Sequence, residues 1–148
     1  MIRGALAGTA AAAAWAAAEP AVARLVRPPA RYSDVRLLGP LLTGDGERWR
    51  AAGLAAHLAN GALFGAAFAR AGAHGWRQGL VAAQGENLAL WPAMALLDRI
   101  HPDRRSGAWP SLVRNRRVFA YEVAVHAVFG VTLGALVGSG QRSSKSSS

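Results

Sequence analysis

The sequence predicts an all-α fold, a four-helix transmembrane bundle, on three observations. Apolar residues gather into four blocks, at 2–19, 51–70, 77–97 and 117–138, rather than spreading along the chain. Charged residues are 17% of the 148, below the roughly one quarter of soluble domains, while 52% are hydrophobic. The basic residues fall mainly between the blocks, as in the cytoplasmic loops of membrane proteins. One membrane domain, residues 1–140, is expected to hold all four spans, with the serine-rich tail 141–148 disordered.

The first block is alanine-rich, and alanine gains little from lipid, so it is the weakest span. Arg3, an apolar middle and Ala21-Val22-Ala23 together imitate a secretory signal with its cleavage site. Cleavage would leave an arginine-rich segment outside the cell, and Gly4 with Gly8 reads instead as a small-residue packing pair. Residues 24–50 form a polar connection in which Pro28-Pro29 stops any helix and Thr43-Gly44-Asp45-Gly46 reads as a turn. Val35-Arg36-Leu37-Leu38 and Leu41-Leu42 fit either a short interfacial segment or a solvated loop.

The second block places Gly53, His57, Gly61 and Gly65 four residues apart on one helical face, with Asn60 beyond His57. A short link containing Gly72 and Gly75 then makes spans two and three antiparallel neighbours. The third block carries Glu86 and Asn87 near its middle. Pro92 cannot donate to the carbonyl of Leu88, so the helix should kink there. The connection 98–117 follows, broken by Pro102, Gly107 and Pro110. Asp98, Arg99, Asp103, Arg104 and Arg105 read as a solvated, self-pairing face, and His74 and His101 as ordinary loop residues. The fourth block repeats the stripe as Glu122, His126, Gly130, Gly134 and Gly138.

Arginines set the topology. Connections 24–50 and 98–117 hold most of them, so both are expected in the cytoplasm with both termini outside a cell membrane. The net charge of +9 does not indicate nucleic acid, because no compact basic helix or aromatic-interleaved basic strand is present. The partners expected are the lipid bilayer and, through the glycine stripes, a homodimer or larger membrane complex. With no cysteine, disulfides and thiolate chemistry are excluded.

Both even-numbered spans contain H-x3-G-x3-G, at His57-Gly61-Gly65 and His126-Gly130-Gly134, which suggests a two-plus-two parallel internal repeat. At ~1.5 Å rise per residue, His57 lies ~9 Å, Glu122 ~8 Å, His126 ~14 Å and Glu86 ~18 Å from the cytoplasmic ends. One intramembrane site built from His57, Glu86, Glu122 and His126, supported by Asn60 and Asn87, is therefore sterically reasonable.

Three chemistries compete for that cluster. His57, Glu122 and His126 would suit a transition metal, although a Glu-x-x-x-His does not supply a di-iron centre. Bis-histidine haem b ranks lower, because the neighbouring carboxylates are not what a haem pocket needs. The third is a buried polar network that only fixes helix register. A small transporter or proton-path subunit uses the same residues, and no pattern of a particular enzyme is present.

The segments His57-Leu-Ala-Asn-Gly61, Glu86-Asn-Leu-Ala-Leu-Trp-Pro92, Asp98-Arg-Ile-His-Pro-Asp-Arg104 and Glu122-Val-Ala-Val-His126 resemble those of small integral membrane proteins of actinobacteria. The resemblance implies a four-span membrane protein and no activity.

Overall fold

The structure, a computed structural model, describes residues 1–44 and 46–145, and only the backbone of residues 140–145. All secondary structure among the described residues is helical: α1 (Ile2–Val26), α2 (Asp34–Thr43), α3 (Trp49–Arg70), α4 (Trp76–Leu90), a 3-10 turn (Trp91–Ala93), α5 (Met94–Ile100), α6 (Pro102–Arg105) and α7 (Arg116–Lys145). Asp45 of the expected turn and residues 146–148 of the expected tail lie outside the described residues, while α7 runs past the expected span end at 138 to Lys145.

Each long helix ends where its chemistry requires. Alanine favours the helix through α1, which ends at Arg27 in the left-handed region (φ 56°) just before Pro28-Pro29. Ser33 caps α2 by accepting from the Arg36 amide, so the part of the connection left open between loop and interfacial segment is a helix. At Pro92 the α-helix gives way to the 3-10 turn and resumes as α5, which is the interruption its missing N–H imposes.

Two glycine seams join the long helices, beside a third between α2 and α3 where a Cβ on Gly53 would fall 2.2 Å from the Val35 carbonyl oxygen. A Cβ on Gly8 would fall 2.0 Å from the Gly61 carbonyl oxygen, and one on Gly65 2.3 Å from that of Gly4. These contacts join α1 to α3 backbone to backbone. The same happens between α4 and α7, where a Cβ on Gly79 would fall 2.0 Å from Gly130 O and one on Gly134 2.2 Å from Gly75 O. Helix α1 also packs on α7, and α2 on α3. The helices therefore follow one another in space as α3, α1, α7, α4.

The expectation that spans two and three are neighbours is corrected. Helices α3 and α4 share no packed interface, because the small faces of α3 and α4 are taken by α1 and α7. For the same reason these stripes offer no outer seam for a homodimer. They are used inside the chain.

Among the described residues, two helices are long and apolar enough to cross a membrane, Trp49–Arg70 and Arg116–Ser139, with mean hydropathies of 1.3 and 1.6. Helix α1 is long but carries Arg3, Glu19 and Pro20 beside its alanines, and α4 stops at Leu90. Large apolar side chains nonetheless point outward from the long helices, Leu6, Leu63, Val81, Leu88 and Leu136 among them, while His57, Asn87, Glu122 and His126 are buried.

The two arginine-rich connections lock together. Nε and Nη2 of Arg36 donate to Oδ2 and Oδ1 of Asp103, each at 2.7 Å. Trp109 is buried and donates from Nε1 to the Ala30 carbonyl at 3.0 Å. His101 is fully buried and stacked on Trp109, at 4.5 Å between centroids and 13° between planes. His101 and Asp103 are therefore buried where the sequence reading has them solvated, whereas Arg99 and Arg105 are exposed and Arg104 pairs with Asp98 at 2.8 Å, as that reading expects. Burial pushes the His101 imidazole below its ordinary value. The Arg36 hydrogen bonds hold the Asp103 carboxyl below the usual aspartate range.

Gly8→Ala should destabilise the detergent-solubilised protein by ~1–3 kcal/mol through overpacking. Gly85→Ala, in a helix interior with nothing within 4 Å of the new Cβ, should gain ~0.5–1 kcal/mol; thermal unfolding distinguishes the two. Because the Asp103 value is depressed, its stabilisation is present above about pH 4 and lost as pH falls through the folded value. Asp103→Asn should cost ~1.5–3 kcal/mol at pH 6, and the gap from wild type should narrow in unfolding measured at progressively lower pH.

Candidate functional site

Because α3 and α4 are held apart, a cavity of about 360 Å³ lies between them, backed by α1 and α7. Its polar lining is Asp34, His57, Asn60, Glu86, Asn87, Glu122 and His126. All four residues singled out as an intramembrane cluster, and both supporting asparagines, thus face one space. The remainder is apolar or aromatic, including Trp15, Leu37, Leu90, Met94, Leu97 and Phe129.

His57 is held at both ends. Its Nδ1 lies 2.9 Å from Oδ2 of Asp34 and its Nε2 lies 3.0 Å from the Ala12 carbonyl. Whether the Nδ1–Asp34 proton sits on nitrogen or oxygen, both ring nitrogens are engaged and no lone pair is left over. Asp34 is placed by the start of α2, where the Glu19 carboxylate accepts its backbone N–H at 2.9 Å.

Glu122, 2% exposed, accepts a hydrogen bond from the Tyr32 hydroxyl at 2.6 Å. One turn later His126 donates from Nδ1 to the Glu122 backbone carbonyl at 2.7 Å, with a carboxylate oxygen of Glu122 3.6 Å away. A carbonyl can only accept, so Nδ1 carries the proton and Nε2 is the nitrogen free for chemistry. Glu86 is half-buried and faces the Asn60 side chain across the α3–α4 gap. Two buried donors on the lining, Trp15 Nε1 and Asn87 Nδ2, have no partner among the described residues. A buried donor without a partner is rare and costly.

The metal set His57, Glu122 and His126 is not assembled. Among the described residues no three His, Asp or Glu side chains are grouped as a metal ion requires. His57 is unavailable because Asp34 and Ala12 engage both its ring nitrogens, and Tyr32 holds one carboxylate oxygen of Glu122. The haem arrangement meets a different obstacle. Trp15 packs against both imidazoles, with centroids 5.0 Å from His57 and 4.4 Å from His126, and so fills the place of a porphyrin between them.

Asp34 and Tyr32 were not legible as site residues, since they lie in a polar connection outside every apolar block. The available signal was Ser33-Asp34 preceding an apolar run, a helix N-terminus that would return the chain to the bundle.

Tyr32→Phe should cost ~1–3 kcal/mol by leaving a buried carboxylate short of its donor. In a double-mutant cycle with Glu122→Leu, which removes the acceptor, measured by thermal unfolding, the two changes should couple by ~0.5–3 kcal/mol. Strict additivity would mean that the hydroxyl does not serve Glu122.

No family model matches the chain, and neither does any curated protein or solved structure.

Proposed function

We propose that this chain is a multi-pass membrane protein that binds a small uncharged ligand in the cavity between α3 and α4. Four spans, formed by α1, α3, the interrupted α4–α5 segment and α7, cross the cell membrane with both arginine-rich connections on the cytoplasmic side. The outward leucines and valines, with His57, Asn87, Glu122 and His126 turned inward, support this reading. So does the length of the interrupted third segment, residues 76–100, which at ~1.5 Å per residue is long enough to span.

The two glycine-seamed pairs, α1 with α3 and α4 with α7, form the two halves of an internal repeat. Gly8 meets Gly61 as Gly79 meets Gly130, and Ala12 and Ala83 take matching places over Gly61 and Gly130. His57 and His126 then hold equivalent positions, both against Trp15.

The observation that carries the ligand reading is the polar lining itself, with Trp15 Nε1 and Asn87 Nδ2 left without acceptors. These donors call for ligand oxygen or nitrogen lone pairs. Asp34, Glu86 and Glu122 around them disfavour an anion, and the two N–H groups disfavour a cation. A neutral molecule with acceptor atoms and apolar bulk satisfies both. A cavity of ~150 Å³ holds a benzene ring, so this one has room for about two fused rings. The free Nε2 of His126 and the Glu86 carboxyl supply proton exchange if the bound molecule needs it.

The test has two stages. Carbonate extraction should leave the protein in the membrane fraction, and release would overturn the four-span reading. Detergent-purified protein should then carry a small molecule at near-stoichiometric level by mass spectrometry of a denaturing extract, absent from Asn87→Leu. An empty, well-folded protein would favour a proton path or a purely structural network. Stoichiometric metal or a Soret band lost in His57→Ala/His126→Ala would favour a metal or haem instead.

A further inference from the structure

A second cavity, of about 460 Å³, is walled by Arg31, Arg36, Trp49 and Arg50 at the start of α3. Three guanidiniums around one indole are an unusual wall, because they repel one another unless an anion lies among them. Arg36 and Arg50 both lie over the Trp49 ring, at 4.7 and 5.3 Å from its centroid. Asp103 answers Arg36. The charge of Arg31 also acts on the Asp103 carboxylate, but Arg31 and Arg50 form no direct ion pair among the described residues, and Glu47, the nearest acid in sequence to Arg50, is exposed and makes none either. Arg31 sits in the left-handed region at φ 64°, a costly backbone state for a residue without special reason to adopt it. The α3 terminus adds to the positive field, since its first turn contains no acid and no side chain caps it.

We infer that this pocket binds a phosphate group, carried by the headgroup of an anionic phospholipid. Planar guanidinium forks match phosphate oxygens in pairs, and the Trp49 face keeps two of the forks in place. The lipid source follows from what lies next to the pocket. Leu54, one turn below Arg50 on the same face of α3, is 42% exposed and continues the pocket into apolar surface. An acyl chain can lie there while its phosphate reaches the arginines, whereas free phosphate would leave that surface uncovered.

Native mass spectrometry of the full-length protein in detergent, with added phosphatidylglycerol or phosphatidylcholine of equal chain length, tests the assignment. Phosphatidylglycerol should be retained in preference. Arg31→Gln/Arg50→Gln should reduce that retention about 25-fold, as expected for two basic contacts. Arg99→Gln/Arg105→Gln, which removes the same charge from the other connection, should change it by less than about five-fold. Arg50→Lys keeps the charge and should still weaken retention, which covers the case in which the double variant fails to fold. Equal loss in both double variants, or no preference between the lipids, would overturn the site. Saturable binding of inorganic phosphate alone, with both lipids retained equally, would overturn the lipid assignment in favour of free phosphate.

Discussion

Backbone contact between glycines governs this molecule. At Gly8 and Gly61, and again at Gly79 and Gly130, the helices approach so closely that a single methyl group would meet a carbonyl oxygen. Contacts of this kind are short-ranged and commit a whole helix face to one partner. Once α3 is committed to α1 and α4 to α7, their glycine seams are no longer available to each other. The two helices stand apart, and the space between them is the polar cavity. The site is thus a consequence of the seams, and the polar residues lie on the helix faces that the seams leave open.

Within that space, protonatable groups are tied in pairs rather than aimed at a common point. Asp34 serves His57, Tyr32 serves Glu122, and Asn60 faces Glu86. Each pairing lowers the cost of placing an ionisable group in an apolar bundle. It also explains why a cluster of the right composition is not gathered around one point: His57 is engaged at both ring nitrogens, and Tyr32 holds one oxygen of Glu122. What stays unoccupied is a set of hydrogen-bond donors and one imidazole nitrogen, which suit a neutral molecule. The connections contribute to this order from the other side. Tyr32 and Asp34 enter the bundle from a segment that Arg36 fastens to Asp103, so the site depends on the joined connections as well as on the helices.

Much of this was legible in the sequence because helical periodicity projects directly onto faces. Spacing by four put His57 with Gly61 and Gly65, and His126 with Gly130 and Gly134, and those faces do turn inward. Glu86 and Asn87 were marked as polar exceptions in an apolar block, and the proline break was marked by chemistry alone. Partner choice was another matter. A glycine stripe says that a helix will be approached closely but not by which neighbour, so the short link between α3 and α4 suggested a pairing that the seams forbid. Tyr32, Asp34 and His101 were missed for a related reason. They lie in connections, where no period exists to tell a buried side chain from a solvated one. Trp15 showed the same limit, since an indole near a span end reads equally as an interfacial anchor or as a wedge between two imidazoles.

The absence of native cysteine makes one measurement especially direct. Single cysteines at Asn60, on the cavity, and at Leu63 and Val81, on the outward face, can be labelled in intact membranes with a small thiol reagent. Thiol alkylation needs the thiolate and therefore water. A bundle that encloses a polar cavity and turns its apolar surface to lipid predicts rapid labelling at Asn60→Cys, with Leu63→Cys and Val81→Cys nearly inert until detergent is added. Labelling of all three at one rate would place the apolar surface in water and contradict the membrane-embedded cavity.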